Sequence, residues 1–315
     1  MNDHAIDVLL TQPVPEAIDA RLASTYQVHR LYQHANPQAL LDEVGPRIRA
    51  VVTGGAKGLS NALMDQLPQL EIIAISGIGT DAVDLHHAAR RGIYVTTTPG
   101  VLTADVADLA MGLIINTLRR MGEGERLVRD GLWGTVNLPL ARQVSGIALG
   151  IVGLGEVGKA IARRAAAFDM RIAYNGRREQ PHTGYRYEPD LVALARSVDV
   201  LVVAASADGG QVLVTREVLD ALGPQGYLIN VARGKLVDEL ALEAALREQR
   251  IAGAGLDVFV DEPHVPPALR DLNQVSLQPH RGSATLQTRL AMGRMVLSNL
   301  EACFSGEVPP NQVSL

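Results

Sequence analysis

The feature that most constrains this chain is a glycine-rich turn set between a strand and a helix. The β-branched run Ile147-Ala148-Leu149-Gly150-Ile151-Val152 leads into Gly153-Leu154-Gly155-Glu156-Val157-Gly158, and the helical run Lys159 to Phe168 follows at once. Each glycine in such a turn serves a different physical purpose. Gly153 permits the tight bend, Gly155 lets a pyrophosphate approach the backbone, and Gly158 lets the helix pack closely on the strand. The helix start then presents free N–H groups and the positive end of its dipole to an anion. A second strand, Arg171 to Tyr174, completes a βαβ unit, so Gly153, Leu154, Gly155, Glu156, Val157 and Gly158 are expected to hold a dinucleotide.

An acidic residue at the end of that second strand would hydrogen-bond an adenosine ribose, as NAD requires. The sequence instead continues Tyr174-Asn175-Gly176-Arg177-Arg178, and no carboxylate appears before Glu179. Guanidinium groups suit a phosphate through their planar, bidentate fork. Asn175, Arg177 and Arg178 are therefore expected to favour NADP(H) over NAD(H). The alternative is two solvated arginines after a strand.

Short β-branched runs alternate with helix-length segments along the whole chain. In the first part the strands fall at Ile6 to Leu10, Gln27 to Leu31, Ile48 to Thr53, Glu71 to Ser76 and Gly92 to Val95. The second part has Ile147 to Val152, Arg171 to Tyr174, Val198 to Ala204, Gly226 to Val231, Gly253 to Val258 and Gln274 to Leu277. Strands separated by helices imply parallel sheets covered on both faces. The expected fold class is α/β, with two doubly wound parallel-sheet domains, Rossmann-like or flavodoxin-like, and a cleft between them. Between the two series, Val106, Leu109, Ala110, Leu113, Ile114, Thr117 and Leu118 mark one face of a long helix starting at Thr103. Leu286, Leu290, Leu297, Leu300 and Phe304 mark a last helix. If that helix returns to the first layer, the outer, substrate domain is 1–99 plus 285–315, and the dinucleotide-binding domain is 100–284.

Three polar residues sit just past the ends of strands in the second series. They are Arg233 in Asn230-Val231-Ala232-Arg233-Gly234, Glu262 in Asp257-Val258-Phe259-Val260-Asp261-Glu262-Pro263, and His280 in Gln278-Pro279-His280-Arg281-Gly282. Ligands of open α/β sheets bind outside the carboxyl ends of the strands, so the three can converge. Reduction of a carbonyl by hydride leaves negative charge on oxygen, and a proton donor must lie within hydrogen-bonding reach. Imidazole ionises near neutral pH and suits that role; a neighbouring carboxylate would hold the ring and favour its charged form. The other imidazoles, at positions 4, 29, 34, 86, 87, 182 and 264, have no supporting pattern, and no pair has metal-ligand spacing.

Composition closes off other classes. The net charge of −5 offers no basic field to nucleic acid or to an anionic membrane. Apolar stretches are too short for a membrane span, which needs roughly 20 residues. The single cysteine, Cys303, forms no internal disulfide and reads as a small core residue. The start Met1-Asn2-Asp3-His4 has no signal-peptide character, so a cytoplasmic location is expected. With seven Tyr, three Phe and one Trp, the chain is poor in aromatic rings, which favours a small polar substrate over an aromatic one.

At this point the chain resembles the D-isomer-specific 2-hydroxyacid dehydrogenase family. The segments that carry the resemblance are Ser76-Gly77-Ile78-Gly79-Thr80-Asp81-Ala82-Val83-Asp84, Thr97-Thr98-Pro99-Gly100-Val101, the glycine loop, and the Arg, Glu and His segments in family order. The residues after the second Rossmann strand look like those of NADPH-using glyoxylate, hydroxypyruvate and 2-ketogluconate reductases. The resemblance implies catalytic roles for Arg233, Glu262 and His280: His280 as the proton donor, Glu262 as its carboxylate partner, and Arg233 as the group that binds the substrate carboxylate and polarises the carbonyl. It implies cofactor contacts from Val231, Ala232, Asp257 and Gly282, with a structural role for Asp257 as the alternative. Substrate contacts are implied from Gly54, Gly55, Ala56, Ser76, Gly77 and Ile78, together with Arg233 and His280. It also implies a homodimer formed through the nucleotide domain, with Trp133 either packing locally or reaching the partner's site. The expected activity is NADPH-dependent reduction of a small 2-oxo acid, glyoxylate or hydroxypyruvate. The alternatives are a 2-ketogluconate or hydroxyphenylpyruvate reductase, or a cofactor-sensing, corepressor-like binding protein.

Overall fold

The computed structural model describes residues 6–207 and 210–314. Residues 1–5, with His4, lie outside the described residues. The chain divides into two compact units, Met1–Leu102 with Ser283–Leu315, and Thr103–Gly282.

In the first unit, strands β1 (Asp7–Leu10), β2 (Gln27–Arg30), β3 (Ile48–Gly54), β4 (Ile72–Ser76) and β5 (Tyr94–Thr96) alternate with helices α1 (Glu16–Thr25), α2 (Pro37–Val44), α3 (Asn61–Asp65) and α4 (Leu85–Arg90). All strand pairs are parallel, in the order β2-β1-β3-β4-β5. β3 and β4 read as almost unbroken apolar runs because both faces are covered. The period-two alternation assigns their side chains to two cores. Leu9, Val51, Ile73 and Val95 face Leu40, Leu41, Val44 and Met64 of α2 and α3. Val8, Leu10, Ala50, Val52, Ile72 and Ala74 face Ile18 and Leu22 of α1 and the last helix, Leu286–Phe304. That helix supplies Val296, Leu297, Leu300 and Cys303 to the second core. It approaches α1 so closely that a methyl group on Gly293 would collide with Ile18. Beyond it, Gln312 bridges antiparallel to Thr96, and the Val313 N–H donates to Val95 O at 2.8 Å. This covers the β5 edge, which would otherwise offer unpaired backbone groups.

The second unit opens with α5 (Thr103–Leu118) and α6 (Met121–Arg129). Arg120 separates them by taking a left-handed backbone conformation (φ 53°), while its guanidinium makes two 2.7 Å hydrogen bonds to Glu123. The sheet strands are β6 (Ala148–Val152), β7 (Arg171–Asn175), β8 (Arg186–Tyr187), β9 (Val200–Val203), β10 (Tyr227–Asn230), β11 (Gly253–Leu256) and β12 (Val275–Leu277). Helices α7 (Glu156–Ala166), α8 (Leu191–Arg196), α9 (Arg216–Leu222), α10 (Glu239–Arg247) and α11 (Pro267–Arg270) run between them. The seven strands are parallel in the order β12-β11-β10-β9-β6-β7-β8. Six were expected; β8 is two residues long, too short for periodicity to reveal. The order reverses between β6 and β9, and a doubly wound sheet receives its ligand at such a switch point. No helix among the described residues is long and apolar enough to cross a membrane.

Candidate active site

The glycine loop lies at the switch point, where β6 passes into α7. Gly153 has φ 94°, a left-handed conformation that disfavours a side chain, and a methyl group there would crowd the Ala205 backbone. A methyl on Gly158 would overlap the Gly153 carbonyl oxygen, so glycine allows α7 to start against the loop. Gly155 is different: a methyl there would meet nothing within 4 Å. Gly155 is also the N-cap of α7 and supplies no side-chain cap, so the first-turn N–H groups keep their capacity to bind an anion. This open cradle fits the pyrophosphate of a dinucleotide. Leu154 is buried, whereas the Glu156 carboxylate is exposed and pairs with Lys159 at 3.4 Å.

At the end of β7, Asn175 is committed to structure: its amide donates to Glu188 O at 2.9 Å and to Pro189 O at 3.0 Å. Arg177 and Arg178 are exposed and have no ion-pair partner among the described residues.

The turn that carries Arg233 is built by residues that sequence reasoning did not single out. Asn230, buried at the end of β10, accepts from the Ala232 N–H at 3.0 Å and donates to Arg233 O at 2.9 Å. A side chain at Gly234 would collide with the Phe259 carbonyl group, so the chain passes close to the segment that bears Glu262. The spacing Asn230-x-x-Arg233-Gly234 was the available signal: a polar residue ending a buried strand, and a glycine after the functional arginine.

His280 and Glu262 meet directly, with Nδ1 and Oε2 2.7 Å apart. A carboxylate only accepts, so Nδ1 carries the proton of this bond and Nε2 remains for other partners. The other Glu262 oxygen accepts from the Phe259 N–H at 3.1 Å. Burial alone would raise the Glu262 pKa, but the hydrogen bond and charge of His280, the Phe259 N–H and the charge of Arg233 together hold it below the usual glutamate value. The three expected residues thus form one electrostatic group within this unit.

His280 itself sits at φ 51°, an uncommon conformation for a residue with a side chain. Asp257 holds it there. The Asp257 backbone oxygen accepts from the His280 N–H at 2.8 Å, and its carboxylate accepts from the N–H groups of Arg281 at 2.6 Å and Gly282 at 2.8 Å. Burial raises the Asp257 pKa, and those two N–H groups and the His280 charge oppose the rise. Both Asp257 oxygens are therefore engaged in shaping the turn. Val231 is buried and Ala232 half-buried beside it.

In the first unit, Gly54-Gly55-Ala56 and Ser76-Gly77-Ile78 form the turns at the carboxyl ends of β3 and β4. Thr53 Oγ1 donates to Gly58 O and accepts from Thr11 Oγ1, both at 2.7 Å, which braces the first turn. Of the remaining imidazoles, His29 bonds Asp7 at 2.6 Å and His87 bonds Asp65 at 2.7 Å, so both have structural partners.

A doubly wound parallel sheet with a glycine-rich strand-to-helix turn, and an imidazole–carboxylate couple beyond its carboxyl edge, defines a nucleotide-dependent oxidoreductase. Comparison with known proteins narrows the class. Residues 111–282 match the model described as D-isomer specific 2-hydroxyacid dehydrogenase, NAD binding domain. The chain is 42% identical over 300 residues to a 2-ketogluconate reductase of Gluconobacter oxydans, covering 95% of this chain and 96% of the relative. It is 44% identical over 304 residues to a glyoxylate/hydroxypyruvate reductase of Arabidopsis thaliana, covering 96% and 97%. A solved NADPH-dependent glyoxylate/hydroxypyruvate reductase of Sinorhizobium meliloti, in complex with NADP and malonate, superposes with a TM-score of 0.88 at 40% identity, covering 98% of this chain and 96% of that one. The chain belongs to the D-isomer specific 2-hydroxyacid dehydrogenase family, and its enzyme class is that of the NAD(P)-dependent 2-hydroxyacid dehydrogenases.

Proposed function

We propose that this protein uses NADPH to reduce a small 2-oxo acid to the D-2-hydroxy acid, with glyoxylate and hydroxypyruvate as its substrates. The observation that carries the reading is the 2.7 Å His280–Glu262 couple beside Arg233. The unit Thr103–Gly282 is assigned to the nucleotide, and the unit containing both termini to the substrate.

When bound, the reduced nicotinamide supplies a hydride to the carbonyl carbon. The protein's own groups do the rest. The Arg233 guanidinium binds the substrate carboxylate and draws electron density toward the carbonyl oxygen. N–H groups of the turns Gly54–Ala56 and Ser76–Ile78, at the carboxyl ends of β3 and β4, are assigned to substrate binding by their own unit. His280 gives the Nε2 proton to the oxygen as charge develops there, so that C=O becomes CH–OH. Glu262 keeps the proton on Nδ1 and orients the ring. The glycine loop binds the pyrophosphate, and Arg177 and Arg178 bind a 2′-phosphate.

The Gluconobacter relative supports a second reading in which the substrate is 2-ketogluconate. Both readings use the same residues. The homodimer belongs to the proposal too: α6 and the loop after it expose an unusual density of apolar side chains, including Val128 (57% exposed) and Trp133 (81% exposed), which suits a second copy of the chain.

The test follows NADPH absorbance with a panel of 2-oxo acids that includes glyoxylate, hydroxypyruvate and 2-ketogluconate. Turnover is expected, highest with the two small acids. A silent panel overturns the enzymatic reading, and a clear preference for 2-ketogluconate selects the second.

A further inference from the structure

The loop that carries Arg177 and Arg178 is bracketed by two tyrosine hydroxyls. Tyr187 Oη donates to Gly176 O at 3.0 Å, immediately before the arginines. Tyr174 Oη accepts from the Gln180 N–H at 2.5 Å, two residues after them. The two rings pack on each other, with centroids 5.3 Å apart and planes at 43°. The parallel pairing of β7 with β8 places Tyr174 opposite Tyr187, and the Glu188 N–H closes the pairing by donating to Tyr174 O at 2.8 Å. Tyr174 is fully buried. The Gln180 amide then donates to Leu154 O at 2.9 Å, tying the end of the loop to the glycine loop.

Arg177-Arg178-Glu179 is thus an exposed tripeptide held at both ends by hydroxyls on a packed aromatic platform. In a chain with only seven tyrosines, two serve this one loop. A long guanidinium side chain binds a phosphate most tightly when its backbone is already set, because less freedom is lost on binding.

We infer that Tyr187 and Tyr174 are positioning residues for coenzyme choice, which preorganise Arg177 and Arg178 for the 2′-phosphate of NADPH. The inference rests on the assignment of those arginines as the 2′-phosphate site. It goes further in placing the determinants of selectivity on β7 and on the two-residue edge strand β8, outside the arginines themselves. NADH lacks the 2′-phosphate, so its binding does not depend on this preorganisation.

The test uses the full chain with Tyr187→Phe, Tyr174→Phe and the double variant Arg177→Ala/Arg178→Ala. Each phenylalanine keeps the ring and removes only the hydroxyl. Dissociation constants for 2′,5′-ADP and 5′-ADP are measured by calorimetry, alongside KM for NADPH and NADH. Tyr187→Phe is expected to weaken 2′,5′-ADP about 3- to 10-fold, the range for one lost hydrogen bond. KM for NADPH should rise in proportion, while 5′-ADP binding, KM for NADH and kcat stay within twofold. Tyr174→Phe should act in the same direction. If the arginine double variant loses 2′,5′-ADP selectivity but folded Tyr187→Phe retains it in full, the positioning role is overturned and the arginine assignment stands. If the arginine double variant itself retains selectivity, the arginine assignment fails and the inference falls with it. Tyr187→Phe alone decides the matter if the buried Tyr174→Phe does not fold.

Discussion

Two alanine substitutions in the glycine loop separate architecture from binding. In Gly158→Ala the new methyl overlaps the Gly153 carbonyl oxygen and lies 3.1 Å from its carbonyl carbon. An ordinary carbon–oxygen contact is about 3.3 Å or longer, so the start of α7 must retreat by about 1 Å. Overpacking of this kind costs about 1–3 kcal/mol, and the better helix propensity of alanine returns about 0.8–1 kcal/mol. The clash wins by about 1 kcal/mol at the middle of that range, a fall in Tm of about 2–4 °C for a unit of this size. Gly155→Ala meets nothing within 4 Å. Its reduced freedom in the unfolded chain, about 0.4–1 kcal/mol, is offset by alanine's poor performance as an N-cap. Its Tm should therefore stay within about 2 °C of the parent. Both variants should bind NADPH less well, since the pyrophosphate either loses its close approach at Gly155 or meets a displaced helix start. Loss of one charge-assisted hydrogen bond, about 1.5–3 kcal/mol, raises Kd about 10- to 100-fold. Thermal unfolding without coenzyme gives the first quantity, and NADPH fluorescence titration the second. If Gly155→Ala binds NADPH with an unchanged Kd, the pyrophosphate does not rest on this loop. If Gly158→Ala gains stability, the packing argument is wrong.

Further outcomes follow from the site geometry. His280→Ala should lower kcat by about 100- to 10,000-fold while NADPH binding stays within about threefold; a nearly unchanged kcat would remove His280 from the proton-transfer step. The lowered Glu262 pKa means that its carboxylate stabilises the fold above the ordinary glutamate range, and that this contribution is lost as pH falls through the lowered value. The Tm gap between the parent and Glu262→Gln should thus be widest near neutral pH and close in strong acid; a gap that widens on acidification would contradict the sign. Replacing Trp133 by Ser and Val128 by Asp in one variant should shift the sedimentation coefficient from dimer toward monomer, and an unchanged distribution would exclude this segment from the interface.

Much of the architecture is legible locally. β3 and β4 announce themselves as almost unbroken apolar runs, interrupted in β3 by Arg49 and Thr53, because a strand buried on both faces needs few polar side chains. The glycine loop is legible because a tight left-handed turn and a close backbone approach each demand glycine within six residues. Other features are not local. Arg120 divides α5 from α6 through a backbone conformation that its side-chain type does not advertise. Asp257 reads as a cofactor contact or a structural residue with equal warrant; only the fold brings the N–H groups of Arg281 and Gly282 to its two oxygens, 24 and 25 residues away in sequence.

By itself, the sequence determined the α/β class, the strand-turn-helix cradle and the residue types available for proton transfer, because side-chain period and turn chemistry act over a few neighbours. The tertiary structure decided which of those residues meet. His280 reaches Glu262 across 18 positions because β11 and β12 are neighbours in the sheet and end at the same edge. Tyr174 faces Tyr187 because the two-residue strand β8 pairs with β7 in that register. Sheet order and register are set by long-range pairing, and no local pattern of side chains encodes them.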